Sequence, residues 1–406
     1  MLSLDRGTRE CVVVDGVAGP AYEAVYGLTF SPDGTRYAYI ARHGFNDWFA
    51  VVDGREGRRH AWVPFQAYDR VEPIGRPIKF SPDSRRVAYA AKDEQGIIEY
   101  GRSDLPKLRD AYVYIDGERS PGPPTYNIGV FDWSPDSKGV AYVAEVEQRT
   151  GPAGGVPGLQ AVVWQGKQHD TYQEIEPMLR FSPDGLHLAY YAWRVPPQPG
   201  RWADGCVVLD GRPDRRYFGH DIESLRFTPD GRVEYDAWAW PGGRPAIAPA
   251  DPAKPAVAVH VRGDEELQGR RERLVYSPDG RREAFVRKVE PRPGETEFSL
   301  IQRRGGRYPA DVYLDGRLVA EVPGGPFYMQ FGPDSRRFVF LAPAGDPADE
   351  KLRLYVDGAP LDTTLPGHVI VLRFTGPDML RAVVVQPQGV EYLDVPVRAQ
   401  PRTALQ

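Results

Sequence analysis

The feature that most constrains this chain is a short motif, an aromatic residue followed by Ser-Pro-Asp-Gly or a close variant. The first copy occupies residues 30–34, and a frayed last copy reads Phe-Thr-Gly-Pro-Asp at residues 374–378. The eight motif aspartates are Asp33, Asp83, Asp136, Asp184, Asp230, Asp279, Asp334 and Asp378. Self-similarity at a period of about 50 residues indicates a solenoid, a propeller or another repeat array. The chain is therefore predicted to repeat one structural unit.

Each repeat is predicted to contain four strands, named a to d in chain order. In the first repeat the motif is followed by an apolar run at 37–41. Proline presets φ for the second position of a turn, aspartate bonds to nearby backbone, and glycine accepts a positive φ. The motif is thus typical of a hairpin corner between strands a and b. A β-rich segment at 48–52 is predicted as strand c and ends in a second turn at Asp53-Gly54, and a fourth extended piece near 60–65 is predicted as strand d.

Two further signals recur in register with the motif. The c–d turn pair appears as Asp15-Gly16, Asp53-Gly54, Asp116-Gly117, Asp210-Gly211, Asp315-Gly316 and Asp357-Gly358, while Gln165-Gly166 and Arg262-Gly263 take that place without the acid. Six residues after the motif aspartate stand Tyr39, Tyr89, Tyr142, Tyr190, Phe285 and Phe340, with Tyr235 one residue early and Val384 in the last copy. One large ring at a fixed place suits the packing of each sheet on the next, so these rings are predicted to be buried.

Together, the aromatic-Ser-Pro-Asp-Gly motif, the apolar strand with its ring and the later Val-Asp-Gly resemble the TolB-type, WD-repeat-like β-propeller family of bacteria. The resemblance covers residues 11–397. It implies an all-β fold, a closed β-propeller of four-stranded antiparallel blades. It implies no catalytic group, because the repeat of that family carries none and the fold hosts many tasks.

The repeat count predicts eight blades, with seven as the alternative if the degenerate last copy is only a cap. Residues 1–406 then form a single β-propeller domain centred on the motif aspartates. The chain ends on a segment like strand c at 390–395 and begins with surplus strand at 11–15. We therefore expect the N-terminal strand to pair with the C-terminal blade and close the ring, since closure removes free sheet edges.

Composition narrows the class of protein. Apolar residues make up 41% of the chain and charged residues 26%, as in a globular protein, and helical periodicity is nearly absent. A net charge of −5 argues against general nucleic-acid binding. Cys11 and Cys206 each adjoin valines, so we expect small buried strand residues and no disulfide or thiolate metal site.

The sequence shows no hydrophobic signal core at its N-terminus and no apolar run long enough to cross a bilayer. These features predict a cytoplasmic location, or a periplasmic one if a leader has been removed.

The repeats differ mainly in the link between strands b and c. This link is short in the first repeat (43–47) and longer at 93–110, 145–160, 194–204, 240–254, 288–310 and 343–351. Because strands alternate in direction, all b–c links should emerge on one face and the a–b and c–d turns on the other. Insertions on one face often mark a binding face, and the alternative is that loop length drifts where it is tolerated.

Aromatic and arginine residues in or beside these links are the candidate anchors for a partner, because both types carry interface energy well. They are Tyr100, Arg102, Trp202, Trp240, Phe298, Arg303, Arg304 and Tyr308. Arg303 and Arg304, with Arg307, would suit an acidic partner, although a cluster of three charges is usually solvated surface. Each residue alone is more often a local packing or solvated residue, so the prediction concerns the set.

Patterns for catalysis, metal binding or cofactor binding are missing from the sequence. It contains no Gly-x-Ser-x-Gly elbow, no phosphate-binding glycine loop, and no histidines at metal-ligand spacing. His169 and His220 occupy similar places near strand d, where satisfied loop histidines are the more common outcome. The motif aspartates each belong to their own repeat, so we expect them to stabilise turns and not to form a catalytic pair.

The sequence therefore favours a non-enzymatic scaffold that binds a protein or peptide on the face with the long b–c links, without a cofactor or metal. The alternative is a propeller enzyme or small-molecule binder with a polar site at the axial mouth. A third interpretation is a structural subunit of a larger assembly, which would expose an extensive apolar patch.

Overall fold

The structure is a computed structural model that describes residues 9–44, 46–63, 77–93, 109–147, 158–195, 204–214, 219–239, 257–289, 296–303, 309–344, 351–366, 368–386 and 389–397. In these ranges the protein is built almost entirely of β-strands in antiparallel sheets. The predicted all-β class and the four-stranded antiparallel blades are confirmed. The chain divides into two compact units, one of Met1–Phe227 with Val233–Val257 and one of Thr228–Arg232 with Ala258–Gln406.

The first unit contains four sheets of four strands that follow chain order, preceded by a small hairpin of β1 (Val13–Val14) and β2 (Val17–Ala18). The first two sheets are β3 (Ala24–Phe30), β4 (Tyr37–Arg42), β5 (Trp48–Val52), β6 (Arg55–His60), then β7 (Ile78–Phe80), β8 (Val87–Lys92), β9 (Ala111–Ile115), β10 (Glu118–Arg119). The next two are β11 (Asn127–Trp133), β12 (Val140–Glu147), β13 (Leu159–Trp164), β14 (Lys167–Tyr172), then β15 (Glu174–Phe181), β16 (Leu188–Val195), β17 (Asp204–Leu209), β18 (Arg212–Asp214). Strands β19 (Gly219–Phe227) and β20 (Val233–Ala239) pair after them.

The second unit has the same kind of architecture. It contains the pair β21 (Val257–Arg262) and β22 (Glu265–Gln268), and then the sheet of the sixth repeat, β23 (Glu272–Tyr276), β24 (Glu283–Lys288), β25 (Ala310–Leu314), β26 (Arg317–Val322). The seventh repeat forms β27 (Phe327–Phe331), β28 (Phe338–Pro343), β29 (Lys351–Val356), β30 (Ala359–Pro366). A last sheet has β31 (Val369–Gly376), β32 (Met379–Gln386) and β33 (Gly389–Pro396).

A short helix that the sequence did not predict, α1 (Glu297–Arg303), lies in the b–c link between β24 and β25. Thr296 caps it, because its Oγ1 accepts the N–H of Ser299 at 3.1 Å. The acidic Glu297 stands in the first turn, where the helix dipole favours negative charge. At seven residues the helix is too short to show a clear period in the sequence.

The Asp-Gly turns between strands c and d have the geometry that tight hairpins require. Asp53 and Gly54 both have positive φ, 49° and 77°, which is typical of a type I′ turn. The fifth repeat departs from the prediction by one residue. Its flanking pair is Arg262 with Glu265, so the central residues are Gly263 and Asp264 and not Arg262 and Gly263. The acid is therefore displaced past the glycine in this repeat.

The predicted aromatic ladder lies in the core. Tyr39, Tyr89, Tyr142, Tyr190, Tyr235, Phe285 and Phe340 are each at most 2% exposed. Several ladder hydroxyls meet strand d of the preceding sheet, since Tyr89 lies 3.0 Å from His60 and Tyr190 lies 3.2 Å from His169. These contacts join the second sheet to the first and the fourth sheet to the third.

The predicted closure concerns the two ends of the chain. In the described part the last sheet has three strands, and β1 pairs with β2. Pairing of the N-terminal strand with that sheet, the closed ring, the count of eight blades and a single domain over residues 1–406 stay predictions. Within the described ranges no helix combines the length and apolarity needed to span a membrane.

Candidate functional site

Most of the predicted anchors, Tyr100, Arg102, Trp202, Trp240, Arg304 and Tyr308, lie outside the described residues. Arg303 ends α1, and its side chain is not described. Phe298 lies on the same helix with 70% of its surface exposed, whereas Leu300, two residues on, is completely buried. The helix is thus anchored by Leu300 and presents Phe298 to solvent on a b–c link. The anchor set as a whole stays a prediction.

The motif aspartates sit inside the a–b corners. Asp33 Oδ1 accepts the hydroxyl of Ser31 at 2.6 Å and the backbone N–H of Thr35 at 3.0 Å. The same two contacts recur at Asp83, Asp136, Asp184 and Asp279. The hydrogen bond from Ser31 is the main reason that the pKa of Asp33 is lowered to about 2. These carboxylates therefore stabilise their own turns by accepting hydrogen bonds within them.

The remaining motif aspartates depart from this pattern. Asp230 takes its hydroxyl bond from Thr228. Asp334 keeps the backbone bond, from the N–H of Arg336 at 3.1 Å, while Gly332 stands where the serine would be. Asp378, in the frayed copy, lies 3.7 Å from Arg337 Nε. The corner thus weakens toward the end of the chain, in step with the decay of the motif.

The c–d turn aspartate also contacts the a–b corner, and the sequence did not predict this contact. Asp53 Oδ1 accepts the N–H of Tyr37 at 3.1 Å, and its Oδ2 lies 2.9 Å from Arg36 Nε. The same arrangement joins Asp116 with Arg86, Asp210 with His187, Asp315 with Arg282, and Asp357 with Arg337. A basic residue three positions after the motif aspartate was the available signal. The third repeat lacks both partners, having Gly139 and Gln165 instead.

Corner residues also connect successive sheets. The Oγ of Ser84, whose φ is 65°, accepts the N–H of Asp33 at 3.1 Å. Arg36 Nη1 donates to the carbonyl of Arg85 at 2.6 Å. Serine at the last motif position therefore offsets an unfavourable backbone conformation with a hydrogen bond to the neighbouring sheet.

A polar cluster around the buried His60 lies between the first and second sheets. It is called the His60 cluster and comprises Arg58, His60, Tyr89, Asp93, Tyr114 and Arg119. His60 Nδ1 lies 2.8 Å from Asp93 Oδ1, and its Nε2 lies 3.0 Å from the hydroxyl of Tyr89. Because a carboxylate only accepts, Nδ1 carries the proton and Nε2 accepts from Tyr89. The ring of Tyr114 stacks on that of Tyr89 with centroids 5.5 Å apart.

The one carboxylate of the His60 cluster, Asp93, is paired with two arginines, Arg58 and Arg119. Burial lowers the pKa of His60 and raises the pKa of Tyr114 to about 12. Burial also acts to raise the pKa of Asp93, but hydrogen bonds from Tyr114, Arg119 and His60 outweigh it and lower that pKa to about 2. At neutral pH an ionised Asp93 therefore accepts from a neutral His60 and from both arginines. The cluster braces the strands that carry it, since its acid and base groups satisfy one another.

Metal-binding and thiol chemistry find little support in the described part of the chain. Its His, Cys, Asp and Glu side chains form no group of three or more that could hold a metal ion. Cys206 is buried and Cys11 is partly exposed, and both are free thiols, so the burial prediction is right for Cys206 and only partly right for Cys11. His169 meets Tyr190, while the side chain of His220 lies outside the description.

Comparison with protein families and curated proteins gives one partial likeness. No family model matches the chain. A segment aligned over 154 residues is 29% identical to dipeptidyl-peptidase 5 of Porphyromonas gingivalis. The alignment covers 34% of this chain and 21% of that protein, so the chain spans about a fifth of the length of the curated relative it matches.

Solved structures with a similar arrangement are distant. A eukaryotic initiation factor is 13% identical with a TM-score of 0.42, and the alignment covers 86% of this chain and 80% of the initiation-factor chain. Dipeptidyl peptidase 4 of Porphyromonas gingivalis is 12% identical with a TM-score of 0.41, and the alignment covers 91% of this chain and 58% of the peptidase chain. TolB of Acinetobacter baumannii is 14% identical with a TM-score of 0.25, and the alignment covers 83% of this chain and 79% of the TolB chain. At these values the likenesses carry no inference about function, and membership of the TolB-type family stays a prediction.

Proposed function

We propose that this chain is a non-enzymatic module that docks a protein or peptide on the face bearing its b–c links. The observation that carries the proposal is α1, a helix in one of these links that buries Leu300 and leaves Phe298 70% exposed. A large aromatic side chain held in solvent by an anchored element is the kind of residue that dominates binding energy at interfaces.

The sheets beneath the links are suited to this task. Corner hydrogen bonds fix strands a and b to the c–d turn, and ladder rings fix one sheet to the next. A scaffold that is ordered before binding loses less conformational entropy when its partner docks. Link residues can therefore vary between repeats without disturbing the strands that carry them.

Photo-crosslinking tests the proposal directly. A benzophenone amino acid placed at position 298 in the native host should capture a specific partner, identified by mass spectrometry. The matched control is position 186, because Leu186 is also exposed (61%) but lies at an a–b corner. With the purified partner, Phe298→Ser should weaken binding about tenfold or more, and Leu186→Ser should leave it unchanged. Equal crosslinking at both positions, or unchanged binding by Phe298→Ser, would overturn the docking face.

A second candidate function is an enzyme or small-molecule binder that handles peptides. The partial likeness to a protein named dipeptidyl-peptidase 5 favours it. Purified chain incubated with chromogenic dipeptide amides tests this candidate. Release of the chromophore above a heat-inactivated control would support peptidase activity, and its absence across a panel of dipeptides would remove that activity as a candidate.

We also propose that the repeats close into one eight-bladed ring and that the protein acts in the cytoplasm. The motif spacing and the three-stranded last sheet support closure by a strand from elsewhere in the chain. An experimental structure that counts the blades tests the ring, and cell fractionation tests the location.

A further inference from the structure

A cleft of about 580 Å³ opens between the first and second sheets at the end that carries their c–d turns. Its apolar wall includes Val52 of β5 with Val87 and Tyr89 of β8. Arg55 and Gly57 of β6 complete the side formed by the first sheet. The cleft lies within one unit of the chain and is separate from the proposed docking links.

One glycine on strand d, Gly57, lines the cleft. In three other repeats the third residue after the c–d turn glycine lies against the ladder residue of the next sheet or in its core cluster: His169 stacks on Tyr190, Asp214 accepts from the hydroxyl of Tyr235, and Val319 packs in the cluster of Phe340. In the first repeat that residue is Gly57, which has no side chain to place against Tyr89. The side chain that these three repeats place there is therefore missing in the first repeat.

Tyr89 is held rigidly at this cleft. Its hydroxyl is bound to His60, and its ring stacks on Tyr114. Because Tyr89 is only 2% exposed, the accessible part of the apolar wall comes from Val52.

The charges around the cleft leave one cation available. Its three carboxylates all have basic partners: Asp53 lies 2.9 Å from Arg36, Asp116 lies 2.8 Å from Arg86, and Glu56 lies 2.7 Å from Arg59. Among the described residues Arg55 has no acidic partner, although it lines the same cleft. An unpaired guanidinium beside an apolar wall suits a carboxylate, which it can bind through two parallel hydrogen bonds.

We propose that this cleft binds an apolar group that carries a single carboxylate, with the apolar part against Val52 and the carboxylate on Arg55. Ligands with further negative charges are disfavoured, because Asp53, Glu56 and Asp116 surround the site. The same chemistry is offered by a free aromatic acid and by the C-terminus of a peptide that ends in an apolar residue.

Calorimetric titration with matched probes tests the ligand class. The probes are N-acetylphenylalanine, its C-terminal amide, and a tetrapeptide that ends in phenylalanine with a free carboxylate. Both acids should bind and the amide should bind at least about tenfold more weakly, because it cannot form the charge-assisted pair. A tighter tetrapeptide assigns the source as a peptide terminus, and a tighter N-acetylphenylalanine assigns it as a small acid. Equal binding of acid and amide, or no binding by any probe, would overturn the proposal.

Paired arginine variants test the site itself. Arg317 stands at the same place in the sixth repeat, directly after the turn glycine, but there Val319 fills the neighbouring position. Arg55→Gln should weaken binding of the acids about tenfold or more, whereas Arg317→Gln should leave it unchanged. Equal effects of the two variants would contradict a site at Arg55.

Filling the cleft is the complementary test. Gly57→Val gives the first repeat the side chain of the sixth and should abolish binding of both acids. A Cβ at Gly57 would lie 3.1 Å from the carbonyl oxygen of Ala50, so the melting temperature is measured alongside. If this variant fails to fold, the arginine pair decides the outcome. Retained binding by a folded Gly57→Val variant would place the ligand elsewhere.

Discussion

The first and sixth repeats share their corner chemistry and differ in what surrounds it. In each, a serine of the next corner accepts the N–H of the motif aspartate at 3.1 Å. In each, the following arginine lies 2.9 Å from the c–d turn aspartate. The repeats differ at Gly57 against Val319 and in a b–c link that contains α1 only in the sixth. The repeated residues thus hold the sheets together, and departures from the repeat create the surfaces on which we place binding.

The largest expected difference between these repeats concerns their corner glycines. Gly34 and Gly280 both have positive φ, 73° and 69°. A Cβ at Gly280 would lie 2.6 Å from the Cβ of Pro229, whereas nothing lies within 4 Å at Gly34. We expect Gly280→Ala to lower the free energy of unfolding by about 3 kcal/mol and Gly34→Ala by about 1 kcal/mol, measured by urea denaturation. Equal losses would contradict the close contact at the sixth corner.

The second-largest expected loss of stability comes from replacing the c–d turn aspartate. Asp53→Ala and Asp315→Ala each remove the acceptor of a backbone N–H and an ion pair, so both should lower stability by about 2 kcal/mol. Gln165→Ala is the matched control. Gln165 has a similar positive φ (51°), and in its repeat Gly139 replaces the basic residue. A cost for the control similar to that of the aspartate variants would mean that the turn backbone, and not the shared carboxylate, sets stability.

Acid should weaken the contact between the first and second sheets through Asp93. The folded-state pKa of Asp93 is about 2, below the ordinary value near 3.9, so its contribution is present above about pH 4 and is lost as pH falls toward 2. Asp93→Asn should be less stable than the parent at pH 7, and the difference should shrink as pH falls through this window. Urea denaturation at several pH values measures it. A difference that stays constant with pH would show that Asp93 does not titrate as an ionised member of the His60 cluster.

The smallest expected effects concern the corner serines. Ser84→Ala and Ser335→Ala keep the strained φ but lose the hydrogen bond to the neighbouring sheet, at a cost of about 1 kcal/mol each. Ser84→Gly loses the same bond but relieves the backbone, so it should cost less than Ser84→Ala. Thermal melts compare the three variants. Glycine as costly as alanine would show that the backbone at position 84 carries little strain.

The repeat could be predicted because its signals are local. Proline, aspartate and glycine dictate the a–b corner from a few consecutive residues, and the ring six positions later marks strand b. The contact between Arg36 and Asp53 was not predicted, because its partners lie 17 residues apart and meet only after the hairpin folds. Its signal, a basic residue at a fixed offset, is visible once the two turns are known to lie side by side.

The candidate sites could be predicted only in part. Link length drew attention to the link that contains Phe298, but α1 gives no period over seven residues. The cleft beside Arg55 is lined by Gly57 and Tyr89, which come from two different repeats and are brought together only by the fold. The His60 cluster joins β6 to β8 and β9 across two repeats, which no single-repeat pattern reveals.

The central claim is that the repeated residues hold the sheets together and the b–c links bind the partner. Hydrogen–deuterium exchange with and without the partner identified by crosslinking tests it most directly. The account predicts that binding slows exchange in residues 288–310, which form the link of the sixth repeat, and leaves the corner at residues 277–283 unchanged. Protection confined to the corner, with none in the link, would contradict the division between residues that hold the sheets and residues that bind.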